Sequence, residues 1–186
     1  MDETRWLSDD QADAWLGLVA LFEVLPAALD AQLIRDAQLT FFEFLTLAQL
    51  AEVPDRELRL TDLAAGVNAS LPRISRVAAR LEEDGYVERV RNQSDARSRH
   101  VRLTDAGWAK LASASPGHIR DVNRYFVDAL TAEQMTQLTR ICDQMLGVLD
   151  PDGRVLAATM RGESGRPALS RAPQPAERGV NRSQPS

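Results

Sequence analysis

Three arginines, Arg73, Arg76 and Arg80, recur at steps of three and four residues within SLPRISRVAARLEEDG. At about 100° per residue they gather on one helical face, across from an apolar stripe of Leu71, Ile74, Val77, Ala78 and Leu81. A row of guanidinium groups suits two tasks: paired hydrogen bonds to guanine, or a grip on phosphate oxygens. A second basic group follows in SDARSRHVRLTDAG, where Asp95, Arg97, Arg99, His100 and Arg102 crowd a short turn and strand. Arg97, at the tip of a hairpin, has the reach to enter a minor groove, and Asp95 two residues earlier can hold that tip through a charge-assisted hydrogen bond. Taken singly, these groups read as a solvated helix face and an exposed turn ion pair. Taken together they favour DNA, because a basic hairpin directly after a basic helix is the layout of a helix-and-wing surface. The expected DNA-contacting set is Ser70, Arg73, Ser75, Arg76, Arg80, Asp95, Arg97 and Arg99.

The charge balance sharpens the point. The chain carries a formal net charge of −5, which argues against a general polyanion binder. Divided by region, residues 1–69 hold a net of −9, residues 70–102 a net of +3 and residues 103–186 a net of +1. A basic middle inside an acidic frame suggests a localised nucleic-acid or anion surface.

The elements that must position these groups are legible from caps and periodicity. Residues 8–35 read as one helix opened by the capping box Ser8 and Gln11, with an apolar stripe through Trp15, Phe22 and Leu29 and a kink expected at Pro26. Thr40 and Glu43 open LTFFEFLTLAQLAEV, apolar nearly all round and therefore buried. Thr61 is expected to cap a short helix ending near Gly66, and Ser70 the helix that carries the arginines. After Gly85 the period changes to two, giving a two-stranded ribbon from Val87 to Leu103. Thr104 caps a further helix, expected to be interrupted or bent at Pro116-Gly117, and Thr131 with Gln134 opens the last one. From Asp150 the composition turns to Pro, Gly, Ser and Arg, so residues 150–186 are expected to form a disordered tail.

These elements make a mainly α (α+β) fold: a winged helix-turn-helix at 40–103, flanked by helices at 8–35 and 104–149, in one domain spanning 1–149. With its residues in place, the stretch SLPRISRVAARLEEDGYVERVRNQSDARSRHVRLTDAG resembles the recognition helix and wing of the multiple-antibiotic-resistance regulator (MarR) family. Asp95, Arg97, Val101, Leu103, Thr104 and Gly107 stand where that family's wing signature has its acid, arginine, strand and L-T-x-x-G. The resemblance runs from about Trp15 to Leu149. It implies a cytoplasmic homodimer, usually a repressor of a pseudo-palindromic operator, whose terminal helices interleave across a two-fold axis. It also implies a small aromatic or phenolic effector, held between the dimerisation helices and the DNA-binding lobe; Trp15, Phe22, Phe41, Phe44 and His118 are the residues placed to reach that region. The plainer role for each of these five is core packing.

Other chemistry is weakly supported. His100, His118 and Cys142 are the only His and Cys residues and lack metal-ligand spacing, so no metal and no cofactor are expected. His100 reads as a wing residue near phosphate and His118 as a helix-start or pocket-rim residue. Cys142 falls on an apolar stripe, where cysteine behaves as a small buried hydrophobe; peroxide sensors of the resembled family carry theirs near the N-terminus, where this chain has none. No nucleophile elbow, phosphate loop or dinucleotide fingerprint is present, so an enzyme is not expected. The single cysteine, the acidic start MDETRWLSDD and apolar runs short of the roughly 20 residues that span a bilayer point to the cytoplasm without a membrane partner. The competing reading is a winged-helix module used for dimerisation or protein contact, with no operator of its own.

Overall fold

Local capping chemistry sets most helix boundaries in the computed structural model, which describes residues 4–91 and 99–155. Helix α1 (Asp9–Ala37) starts at the Ser8–Gln11 capping box and stops at Gln38, whose backbone turns left-handed at φ 52°. Pro26 lies inside α1 without dividing it. Helix α2 (Phe41–Ala51) begins at the Thr40–Glu43 box, and Asp30 of α1 adds a second cap by accepting the Phe41 N–H at 2.8 Å. A single 3-10 turn (Pro54–Arg56) leads into strand β1 (Glu57–Arg59) and then helix α3 (Leu60–Gly66).

Helix α4 (Leu71–Glu83) precedes strands β2 (Val87–Arg91) and β3 (Arg99–Leu103), then helix α5 (Asp105–Val122), a π-turn (Asn123–Val127) and helix α6 (Ala132–Leu149). The sheet is antiparallel in the order β1-β3-β2, with Leu58 opposite Val101 and Arg89 opposite Val101 on its other side. One core lies under it. Leu33, Phe44, Leu47, Leu63, Ile74, Leu81 and Val101 are fully buried there, drawing α1 through α4 and β3 onto a common centre. The stripe Ile74, Ala78 and Leu81 faces inward as its spacing requires, which turns the arginine face of α4 outward.

Several expectations need correction. The ribbon has a third strand, β1, whose three residues are too few to show a period of two. Thr61 does not cap α3: Arg59 occupies the cap position, and Thr61 lies one residue inside the helix. Ser70 holds the cap position of α4, but its side chain makes no cap hydrogen bond. Helix α5 runs through Pro116 unbroken, and the loosened turn comes later, at Asn123–Val127. Packing explains this: Gly117 lies so close to α1 that a Cβ there would come within 2.7 Å of Gln32 Nε2. Contact with α1 thus keeps α5 helical across a residue that lacks an N–H, so the helix is not interrupted there.

Burial is uneven. Among the described residues, helix α6 has none buried, and α1 buries only Leu29, Gln32, Leu33 and Ala37. Trp15, Leu16, Leu21, Phe22, Ile141 and Val148 are all exposed. Cys142, expected under cover, is exposed on α6. Helix α1 is also long and apolar enough to cross a membrane by length and composition. Counting only uninterrupted apolar runs missed this, because Glu23 and Asp30 divide the run without making it polar.

Candidate nucleic-acid interface

The outward face of α4 is built from three arginines with different surroundings. Arg76 is exposed near the middle of that face. Arg73 lies over the Phe42 ring, its guanidinium carbon 4.1 Å from the ring centroid, a cation–π contact. Arg80 forms an ion pair with Glu43, its Nε 3.3 Å from Glu43 Oε1. Together with Asp30, Thr40 and Val77, these residues line an open cleft of about 400 Å³ between α4 and the start of α2. Ser70 is exposed at the N-terminal end of the helix, and Ser75 is half-buried on its other side.

The far side of α4 is fixed to the sheet. Glu82 accepts from the Arg89 backbone N–H at 3.3 Å and pairs with the Arg89 Nε at 3.1 Å, so the C-terminal turn of α4 is tied to β2. Gly85, at φ 76°, makes the tight reversal between them. Thr104 then closes the unit from the far end of the ribbon. Its Oγ1 donates to the Gly85 carbonyl at 2.7 Å and accepts the Gly107 N–H at 3.0 Å, while its own N–H reaches the Tyr86 carbonyl. The L-T-x-x-G pattern is therefore a clasp that joins the end of α4, the base of the ribbon and the first turn of α5.

Glu57 of β1 braces the ribbon's stem. It accepts from Arg102 Nη2 at 2.6 Å and Nε at 3.0 Å, and it meets His100 Nδ1 at 2.9 Å. Glu88 adds a contact to Arg102 Nη1 at 3.3 Å. The hydrogen bond to Glu57 is the main cause that raises the Arg102 pKa above its ordinary value. His100 thus sits against Glu57 of β1, the strand that the sequence pattern did not reveal. Arg99 is exposed on β3. Asp95 and Arg97 lie outside the described residues.

The expected effector group divides. Phe41, Phe44 and His118 come together, with ring centroids 5.7 and 4.5 Å from the imidazole. His118 is buried towards the C-terminal end of α5, not at a helix start, and its Nδ1 has no hydrogen-bond partner among the described residues. Burial lowers its pKa, with Asp121 opposing. Trp15 and Phe22 stand on the exposed part of α1 and make no ring contact with the trio among the described residues. No group of three His, Cys, Asp or Glu suited to a metal ion occurs among the described residues.

Sequence reasoning missed Phe42, Glu43 and Asp30 as neighbours of the arginine face. Glu43 was legible only as a helix cap, and nothing in the pattern shows that its second oxygen meets Arg80.

Comparison with known proteins places this geometry among regulators. A profile of the MarR family matches residues 37–98. A MarR family transcriptional regulator from Streptomyces coelicolor, solved in complex with DNA, is 36% identical with a TM-score of 0.76, covering 81% of this chain and 94% of that one. The transcriptional repressor MprA of Escherichia coli is 27% identical over 117 residues, which are 62% of this chain and 66% of that protein. This chain therefore spans about two thirds of the length of MprA. The homoprotocatechuate degradative operon repressor of Escherichia coli is 27% identical over 132 residues, 70% of this chain and 87% of that one.

Proposed function

The chain belongs to the MarR family and is a DNA-binding transcriptional regulator, and from that premise we propose that it acts in the cytoplasm as a homodimeric repressor. The observation that carries the reading is the outward arginine face of α4, with Arg76 exposed between two arginines that are anchored from below. In the proposed complex α4 enters a major groove, and Asp95 and Arg97, which lie outside the described residues, contact the DNA beside it. The family is one of transcriptional regulators, not enzymes.

The uncovered apolar surface of α1 and α6 supports a dimer. A second copy related by a two-fold axis would cover both helices and set two α4 helices a helical turn of DNA apart. We assign the apolar length of α1 to that interface and not to a bilayer. An aromatic effector, such as a phenolic carboxylate, belongs at the edge of Phe41, Phe44 and His118. The homoprotocatechuate operon repressor among the relatives makes that class a natural first trial.

Salt titration tests the reading. A dimer that neutralises several phosphates loses DNA affinity linearly in log salt, with a slope of about 0.9 per phosphate. A weak slope, together with failure to enrich any sequence from a random duplex pool, favours the winged-helix interaction module instead.

A further inference from the structure

The first turn of α2 lies beside the outward face of α4. Phe42 supports Arg73 through its ring face, and Glu43 divides its two carboxylate oxygens between two partners. Oε2 accepts the Thr40 N–H at 2.8 Å and completes the cap of α2; Oε1 meets Arg80 Nε at 3.3 Å. The Glu43 side chain is 4% exposed and that of Arg80 is 58% exposed, so a covered carboxylate holds a surface guanidinium from below. Among the described residues Arg80 makes no other ion pair or hydrogen bond. The ion pair falls on the Nε edge of the planar guanidinium, and Nη1 and Nη2 have no partner among the described residues.

The cap does not explain the charge. Glutamine at the same position completes a capping box equally well, as Gln11 and Gln134 do at the starts of α1 and α6. A carboxylate close to a DNA-facing surface also repels phosphate. The glutamate differs from glutamine in having two acceptor oxygens, which lets it serve the cap and Arg80 together.

We propose that Glu43 is a positioning residue of the DNA interface, holding Arg80 by Nε so that its Nη pair meets a phosphate already oriented. The proposal rests on the reading of α4 as the DNA-contacting helix. Pre-orienting Arg80 removes the entropy loss that a free arginine would suffer on binding.

A double-mutant cycle on the full chain tests it, using a labelled duplex enriched from a random pool by the wild-type protein and titrated at several salt concentrations. Glu43→Gln keeps the cap, so its melt should stay close to wild type, while affinity falls roughly two- to tenfold per half-site. Its salt slope should not change, because Arg80 still reaches the phosphate. Arg80→Ala should flatten the slope by about one per half-site, and adding Glu43→Gln to it should cost nothing further. Should Arg80→Ala fail to fold beside an unpaired Glu43, Arg80→Met with Glu43→Gln removes that charge and completes the cycle. Unchanged or tighter binding by Glu43→Gln overturns the proposal. So does an equal loss with and without Arg80, which would mean that Glu43 acts through packing. If Arg80→Ala or Arg80→Met leaves the salt slope intact, the DNA contact assigned to Arg80 on α4 falls as well, and the two failures are told apart by which single variant is silent.

Discussion

Arg73, Arg76 and Arg80 look equivalent in the sequence, and what separates them is what lies beneath. Helical spacing was enough to place all three outward, but it carries no information on Phe42 or Glu43, which arrive from another helix. Arg76, the least restrained, is the one suited to follow base edges. Arg76→Ala should cost about 1–3 kcal/mol on the cognate duplex and relax base preference. Arg80→Ala should instead weaken cognate and random DNA alike, and competition between the two duplexes separates the cases. Equal losses on both duplexes for both variants would refute the division. His118 shows the opposite limit of legibility: its burial among Phe41 and Phe44 depends on how α5 packs on α2. Burial lowers its pKa below the ordinary 6.5, so the unfolded chain takes up the proton first. Its contribution to stability is complete above that value and is lost as pH falls below it. Melting temperature should therefore fall as pH is lowered through the ordinary histidine value of 6.5 and below it, and His118→Phe should flatten that drop. The carboxyls of Asp36 and Asp150, lowered from 3.8 by their hydrogen bonds, respond only in more acidic solution. An equal drop in the variant would show that His118 does not titrate there.

Among the elements, those with a strong local signal were read correctly. The capping boxes at Ser8, Thr40 and Thr131 all form, and both strands of the ribbon fall where the period changes. The misses share a cause. Strand β1 exists because β3 offers an edge, α3 begins at Leu60 with Arg59 as its cap because the strand ends there, and α5 stays helical through Pro116 where α1 packs against it. In each case a tertiary partner outweighed local preference. The clasp at Thr104 makes this measurable. A Cβ on Gly107 would overlap the Tyr86 carbonyl oxygen and approach Leu103 Cδ1 to 2.7 Å. The obstacle includes backbone, so it cannot swing aside. Gly107→Ala should destabilise the fold by about 1–3 kcal/mol, seen as a lower denaturant midpoint, and should weaken DNA binding by loosening the base of the ribbon. A midpoint equal to wild type would mean that the clasp yields freely.

For the molecule as a whole, the sequence conveyed a surplus of apolar surface at both ends, and the fold leaves that surplus uncovered. Helix α6 is the clearest instance, amphipathic in pattern yet without one buried residue among those described. Burying a leucine in the proposed two-fold interface contributes about 1.5–3 kcal/mol, and symmetry counts each position twice. Leu138→Asp should therefore dissociate the dimer and lower the melting temperature together, since a buried unpaired charge adds its own penalty. Sedimentation alongside a thermal melt reads both. A stable, well-folded monomer would show that the terminal helices are not needed for folding and would favour the interaction-module reading.

A helix that finds no cover in its own chain has a genetic consequence as well. If α6 can be buried only by another subunit, it will pair with any copy whose α6 is intact, whether or not that copy can hold DNA. An allele carrying Arg76→Ala, expressed beside the normal one, should sequester wild-type subunits in mixed dimers with one competent half, and derepression should follow despite a functional gene. Adding Leu138→Asp to the same allele should restore repression, because the defective subunit would no longer find a partner. Reporter expression in cells carrying both alleles reads the effect, and an Arg76→Ala allele that proves fully recessive would mean that subunits do not mix.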